Sequence, residues 1–198
     1  MQEILPLAVY AFVMSITPGP NNVMVTASGA LFGYRRTIPH LLGVSWGAAL
    51  QTALVCLGLG LVFERFPALH DVLRWAGAAY LVYLGWRIFA AGLSMGEAKG
   101  EAAPISLVEA ALFQLLNPKA WMMALTIATL FLPREVSPLI GSLIAALVLA
   151  IVNYPCISVW ALFGAGMRRF LTDPYRRRLF SAILAIALAV TGVAMVWM

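Results

Sequence analysis

Helix-breaking and polar residues interrupt two otherwise apolar runs of this sequence. The first run contains Thr17-Pro18-Gly19-Pro20-Asn21-Asn22, and the fourth contains Asn117-Pro118-Lys119. Each proline removes a backbone donor and clashes with the preceding helical turn, so neither run can continue as one regular helix. The freed carbonyls and the asparagine amides need partners that lipid cannot supply. We therefore expect both clusters to face protein or a wet cavity and to form a substrate-binding site.

The residue types in the two clusters suit a ligand that carries both charges. Asn117 is a good N-cap and Pro118 a good first helical residue, so a half-helix can begin there. Its N–H groups and dipole attract an anion, and Lys119 adds a positive charge. Asn21 and Asn22 offer donors and acceptors, and the broken backbone offers carbonyls to a cation. A zwitterion such as an amino acid is the predicted substrate, with its carboxylate at Lys119.

Three further polar residues are predicted to support this site from nearby. They are Gln114, which precedes the second cluster, and Gln51 and Asn153, which lie in the second and fifth apolar runs. Polar side chains at such positions commonly join helices by hydrogen bonds. Lys119 is the one charge well inside a run, and Glu109, roughly 15 Å away along a helix, is too far for an intra-helix pair.

Other residues that could carry chemistry are given structural roles. Cys56 and Cys156 lie in apolar runs and are predicted to pack there. His40 and His70 lie near the ends of runs and are interpreted as interfacial. Repeated glycines in the second run, at positions 43, 47, 58 and 60, are predicted to allow close helix packing. No residue pattern indicates a metal site or a cofactor.

The composition predicts an all-α integral membrane protein. Of the 198 residues, 63% are hydrophobic and 11% are charged, whereas a soluble domain has about 25% charged residues. A water-soluble globule of this composition would expose far too much apolar surface. The formal net charge of +5 is therefore interpreted as a determinant of membrane topology, and nucleic acid is not a predicted partner.

Six charge-poor runs are candidates for transmembrane helices, since about 20 apolar residues span a bilayer. They cover residues 4–34, 41–63, 72–93, 107–132, 136–167 and 179–198. The first and fourth would be broken helices. Five spans is the alternative, if the third run or half of the first is only re-entrant.

Basic residues are unevenly distributed between alternate loops. Nine lie on one side, namely Arg35, Arg36, Arg87, Lys99, Arg168, Arg169, Arg176, Arg177 and Arg178. The other side has three, namely Arg65, Arg74 and Arg134. Because basic loops stay in the cytoplasm, six spans would place both termini on the periplasmic side.

The two broken runs also indicate an internal repeat. Pro20 and Pro118 are 98 residues apart, about half of the chain, and each is followed by methionine-containing apolar sequence. A single transmembrane domain would then consist of halves at about 1–98 and 99–198 with three spans each. An odd number of spans inverts the second half. Inverted repeats with interrupted helices in matching positions are typical of transporters with a site near the midplane.

These motifs resemble those of the LysE/RhtB family of bacterial amino-acid exporters. The matching residues are Thr17-Pro18-Gly19-Pro20-Asn21, Phe32-Gly33-Tyr34-Arg35-Arg36 with Gly43, and Leu116-Asn117-Pro118-Lys119-Ala120. The resemblance covers essentially the whole chain. It implies a bacterial inner-membrane protein that expels amino acids or close derivatives by using the proton gradient. Nothing in these residues selects one substrate, and Gln114 stands where a small polar residue or Asn is expected.

The predicted partners are thus a small-molecule substrate, an amino acid, and membrane lipid; a homo-oligomer stays open. A passive channel or a non-transporting membrane scaffold is the alternative function. An intramembrane enzyme is least favoured, because it would need a nucleophile with a base or a set of metal ligands. The sequence has no His-Glu pair at ligand spacing.

Overall fold

The computed structural model describes residues 4–94, 103–132 and 136–197. All regular structure in these ranges is helical, which confirms the all-α prediction. The α-helices are α1 (Ile4–Ile16), α2 (Pro20–Phe32), α3 (Tyr34–Leu54), α4 (Gly60–Arg65), α5 (Pro67–Ser94), α6 (Leu107–Phe113), α7 (Pro118–Thr126), α8 (Pro138–Met167) and α9 (Pro174–Trp197). Lys99 and Arg134, which contributed to the charge asymmetry, lie outside the described residues.

Within the described ranges, four helical stretches are long and apolar enough to cross a membrane. They are Tyr34–Leu59, Asp71–Leu93, Pro138–Met167 and Pro174–Trp197. The bent pair α1 and α2 makes a fifth candidate. The fourth apolar run is divided into shorter helices, the longest apolar one being Leu107–Leu116. The count of six spans therefore stays a prediction that depends on this divided segment.

The predicted break in the first span is present between α1 and α2. Their axes differ by 57°. Gly19 is the N-cap of α2 in an extended conformation, with φ −173° and ψ 176°, and Pro20 is its first residue. Proline is favoured at that position because its missing N–H would have no helical partner there. The sequence thus ends one helix and starts another within three residues.

The predicted break in the fourth run is also present. A short 3₁₀ turn, Gln114–Leu116, follows α6, and Asn117 then adopts an extended conformation with φ −93° and ψ 108°. Pro118 begins α7, which passes into a π-helical turn, Ile127–Phe131. The helical segment is therefore interrupted at Asn117, inside the apolar run.

The second run differs from the sequence-based expectation at both ends. Gly33, with φ +82°, ends α2, and α3 begins directly at Tyr34. At the other end, a π-helical turn at Val55–Leu59 contains Gly58 with φ +107°. That left-handed conformation suits glycine, which lacks a Cβ. Gly58 was predicted to allow close packing and instead breaks the helix.

Two apolar core clusters hold the bundle together on either side of the broken helices. One is centred on Met24, Leu84 and Phe113, and the other on Leu7, Met123 and Leu149. Close backbone approach supports both clusters. A Cβ placed on Gly43 or Gly47 of α3 would collide with backbone atoms of α6, which confirms the packing role predicted for these two glycines.

Three connections meet at one end of the bundle, which we call the arginine end. Arg168, after α8, lies against Gly33, since a Cβ added there would be 3.3 Å from its Nη1 atom. Arg177 Nε, in α9, donates to the Gly92 carbonyl near the end of α5 at 2.8 Å. At the opposite end, the rings of Tyr10 and Phe131 stack with centroids 5.1 Å apart.

Candidate functional site

The break after α1 frees backbone carbonyls, and side chains from other elements satisfy them. Asn22 Nδ2 donates to the carbonyls of Ser15 at 3.1 Å and Thr17 at 2.7 Å. Trp160 Nε1, from α8, donates to the Ile16 carbonyl at 3.0 Å. An unpaired buried carbonyl costs about as much as a lost hydrogen bond. Asn22 therefore stabilises the break itself.

Lys119 completes this set of contacts from α7. Its Nζ donates to the Thr17 carbonyl at 2.7 Å, the Thr17 hydroxyl at 2.9 Å and the Pro18 carbonyl at 3.3 Å. The carboxyl end of a helix carries partial negative charge, so it attracts a cation. Lys119 was predicted to pair with a carboxylate. In this structure its ammonium instead joins the two broken helices.

The N–H groups at the amino end of α7 find their acceptors within the first turn of that helix. Asn117 Oδ1 accepts from the Lys119 N–H at 3.1 Å, as expected of an N-cap. The Ala120 and Trp121 N–H groups donate to the Asn117 carbonyl at 3.0 and 3.2 Å. An anion seated here must therefore compete with Asn117 for at least one donor.

A pair of amides connects the two broken spans. Asn21 Nδ2 donates to Gln114 Oε1 at 2.9 Å, and Gln114 Nε2 lies 3.3 Å from Asn21 Oδ1. Gln114 Nε2 also donates to the Ala110 carbonyl at 2.8 Å. Gln114 is fully buried and Asn21 is half-buried. Residues from the two halves of the chain are thus joined by direct hydrogen bonds.

Gln51 and Asn153, which were predicted to support the site, form hydrogen bonds with residues near this pair. Gln51, with its amide oriented by its neighbours, donates to the Gln114 carbonyl at 3.0 Å and accepts from Trp121 Nε1 at 3.1 Å. Asn153 donates to the Ser15 hydroxyl at 3.0 Å and accepts from Ser45 at 3.1 Å. Both side chains join helices by hydrogen bonds.

A cavity lies between the two breaks. Its lining consists of Met14, Ser15, Gly19, Pro20, Asn21, Asn22, Ala48, Gln114, Asn117, Lys119, Ala120, Met123, Asn153 and Ile157. Its volume of about 30 Å³ is room for one or two water molecules. A free amino acid needs more space than this, so residues of the lining must move apart before it can bind.

Most of the predicted site residues meet at this cavity. Thr17, Pro18 and Pro118 do not line it: the first two bind Lys119 at its edge, and the third begins α7. Sequence reasoning missed Ser15, whose hydroxyl binds Asn153. A serine one turn before the breakers was the available signal. The apolar lining from α3 and α8 had no sequence signal of its own.

Among the described residues that line the cavity, Lys119 has the only charged side chain. Glu109 does not approach it. Arg87 Nη1 and Tyr80 OH both donate to Glu109 Oε1, at 2.5 and 2.9 Å. This agrees with the sequence argument that Glu109 is too distant to neutralise Lys119.

His40 is fully buried in α3, inside the bundle. Neither ring nitrogen has a hydrogen-bond partner among the described residues. The sequence placed His40 near the end of a run but did not indicate this burial, because helix rotation decides which way the ring points. The side chain of His70 lies outside the described part.

Comparison with known proteins identifies relatives along nearly the whole chain. The family model described as LysE type translocator matches residues 12–198. Proteins named cysteine/O-acetylserine efflux protein, from Escherichia coli K12 and Shigella flexneri, are 31% identical over 185 residues, 93% of this chain and 92% of theirs. One of the same name from Escherichia coli O1:K1 / APEC is 30% identical over 185 residues, with the same coverage of both chains. No solved structure matches the chain significantly.

Proposed function

Because the chain belongs to the LysE type translocator family, we propose that it exports an amino acid or amino-acid derivative across the bacterial inner membrane. Export is secondary-active and coupled to the proton gradient in this proposal. The relatives named for efflux of cysteine and O-acetylserine make these two compounds the first substrates to test. The observation that carries the proposal is the convergence of two broken helices on one polar cavity.

The chemistry of the cavity fits a zwitterion. The freed carbonyls of Thr17 and Pro18 already hold one ammonium group, that of Lys119. Lys119 is in turn the cation available to a carboxylate. The amides of Asn21 and Gln114 supply further donors and acceptors beside them. Substrate binding therefore uses the predicted residues at positions 17–22 and 117–119, with Gln51, Gln114 and Asn153 behind them.

The small size of the cavity supports a transport cycle with an opening step. Its small volume leaves no space for the substrate, so the two broken spans must separate to admit it. In transporters built from repeats, one repeat rocks against the other around a fixed central site. The contacts between α1 and α7 through Lys119 lie at the junction that such a motion would open.

Six crossings are supported by where the ends of the segments lie. Glu109, near the start of α6, binds Arg87 towards the arginine end, whereas Phe131 stacks on Tyr10 at the opposite end. The divided segment 107–131 therefore runs from one end of the bundle to the other. This path supports six spans with both termini opposite the arginine end, and the positive-inside rule makes them periplasmic.

The proposed inverted repeat is supported by equivalent packing in the two halves. α1 packs on α8, and its counterpart α6 packs on α3. The buried positions of α3 and α8 also recur at the 98-residue offset: Gly43, Val44, Gly47 and Gln51 match Gly141, Ser142, Ala145 and Leu149. The middle span of each half, α3 or α8, thus packs against the first half-helix of the other half.

Flux through reconstituted vesicles tests the proposed function. Vesicles containing the purified protein are loaded with labelled cysteine or O-acetylserine, and release is followed with and without an imposed pH gradient. We expect saturable release that the gradient accelerates. A passive channel would release solute without saturation or gradient dependence, and a scaffold would release none; either result would contradict the proposal.

A further inference from the structure

The contacts of Lys119 describe a binding seat for a primary ammonium group. Three oxygens, two from Thr17 and one from Pro18, lie 2.7 to 3.3 Å from Nζ. An ammonium has three protons to donate, so the number of donors matches the number of acceptors. All three oxygens are neutral, and they stand at the carboxyl end of α1, where the helix dipole favours a cation.

On the basis of the proposed export of amino acids, we propose that the substrate's α-ammonium takes this seat by displacing Lys119. The freed Lys119 ammonium then pairs with the carboxylate of the same substrate. The exchange leaves every group with a partner: the carbonyls keep one cation, and Lys119 gains one anion. In the substrate-free protein the seat is thus occupied by the ammonium of Lys119, which is the same chemical group as the substrate's α-ammonium.

This exchange selects α-amino acids in which both charged groups are free. A primary amine without a carboxylate would displace Lys119 and leave its charge unpaired in a half-buried site, which is strongly unfavourable. A carboxylate without an amine would draw Lys119 away and leave the Pro18 carbonyl and the Thr17 hydroxyl without this donor. Only a molecule with both groups replaces both interactions at once.

Gly19 is the residue that lets Lys119 reach the seat. A Cβ on Gly19 would lie 3.0 Å from Lys119 Cδ and 3.4 Å from Nζ. The backbone of Gly19 is extended, a conformation that any residue adopts. A Cβ here would press on the lysine stem, so Gly19→Ala displaces the seated lysine without straining the backbone.

Ligand binding to Lys119→Met tests the displacement directly. Purified protein is titrated with cysteine, with cysteamine, which lacks the carboxylate, and with N-acetylcysteine, which lacks the free amine, and the ligand-dependent rise in Tm is measured. We expect the variant to bind cysteamine at least tenfold more tightly than the wild type, because the seat is vacant. Cysteine also finds the seat vacant but loses the cation that pairs with its carboxylate, so the ratio of its affinity to that of cysteamine should fall at least tenfold. N-acetylcysteine should bind neither protein well.

Tighter binding of cysteamine cannot result from a damaged protein, which would bind both ligands more weakly. Cysteamine binding that is unchanged or weaker in Lys119→Met would overturn the displacement. The readout needs no transport, so its failure is separate from that of the proposed function. Wild-type protein that binds cysteine but moves none would contradict export and leave the seat intact.

Chemical labelling of Lys119 provides a second measurement on a variant that keeps the lysine. An amine-reactive acetylating reagent is applied to the wild type, to Gly19→Ala and to Gly166→Ala, whose added Cβ meets nothing within 4 Å. We expect labelling of Lys119, read by mass spectrometry, to rise severalfold in Gly19→Ala and to stay at the wild-type level in Gly166→Ala. Equal labelling in all three would contradict a seated lysine.

Discussion

Asn22 and Lys119 have different roles at the same broken backbone. Asn22 is buried and binds the carbonyls of Ser15 and Thr17 from the next helix. Lys119 is half-buried and reaches Thr17 and Pro18 from the other half of the chain. The first contact is local to the break, whereas the second is the one that the proposed displacement exchanges. Substitutions should therefore separate stability from transport.

Asn22→Leu should destabilise the protein on the order of 1–3 kcal/mol, because the buried Ser15 carbonyl loses this donor, whereas the Thr17 carbonyl keeps Lys119. Thermal unfolding in detergent measures the loss as a fall in Tm. Asn21→Leu is the matched control: its amide binds Gln114, which retains the Ala110 carbonyl, so stability should change less. A larger loss for Asn21→Leu than for Asn22→Leu would contradict this assignment.

His40→Leu should stabilise the protein by about 1 kcal/mol, because it removes an imidazole that is buried without hydrogen-bond partners among the described residues. Thr52→Val is the companion variant, since the Thr52 hydroxyl is also buried without such a partner. Both should raise Tm in detergent. A fall for His40→Leu alone would indicate that the imidazole makes a polar contact in the protein.

At the scale of elements, the interrupted spans bring the polar groups together. A continuous first helix would carry Asn22 away from the Ser15 carbonyl, since residues seven apart in an α-helix are about 10 Å apart along its axis. The 57° bend between α1 and α2 instead folds the following turn back on the preceding one. The extended conformation of Asn117 has the corresponding effect before α7.

Replacing Pro18, Gly19 and Pro20 together by alanine should restore a continuous helix. The variant should insert at least as well as the parent and transport poorly, because the carbonyls would return to helical hydrogen bonds. Pro39→Ala is the control, since Pro39 is exposed inside α3 and away from the break. Unchanged transport by the triple variant would show that the break is not needed.

Gly43→Ala should separate α3 from α6. The added Cβ would collide with the Leu107 carbonyl, and it would lie 2.8 Å from the Ala110 Cβ. Overpacking of this kind costs about 1–3 kcal/mol. Gly166→Ala, which meets open space, should leave Tm unchanged. Equal stability of the two variants would argue against a close α3–α6 contact.

At the scale of the whole molecule, the ends of the segments distinguish five spans from six. The arginine end collects the connections near Gly33, Gly92 and Arg168. If the divided segment 107–131 crosses the membrane, the C-terminus lies opposite Gly33. If that segment is re-entrant, the two lie on the same side.

Reporter tags after Gly33 and at the C-terminus should therefore be found on opposite sides of the membrane, with the Arg168–Arg178 stretch cytoplasmic. Paired reporters, one active in the cytoplasm and one in the periplasm, measure each position. A tag before α1 is the internal control and should match the C-terminal tag. Localisation of the Gly33 and C-terminal tags to the same side would contradict six spans.

Features that depend on local covalent chemistry could be predicted from the sequence. Composition alone indicated membrane-spanning helices, because so few charges cannot cover a soluble surface. Proline clusters indicated both breaks, since proline lacks the N–H that a helix needs. The N-cap role of Asn117 was also predictable, because capping involves residues only a few positions apart.

Features that depend on how helices rotate and pack were decided only by the tertiary structure. Lys119 finds its acceptors on Thr17, 102 residues away, and Asn21 pairs with Gln114, 93 residues away. Gly58 breaks a helix, and His40 points inward, although neither has a local signal for it. The polar residues of the candidate site could be predicted from the sequence. Which donor pairs with which acceptor across the two halves depends on the three-dimensional arrangement of the helices.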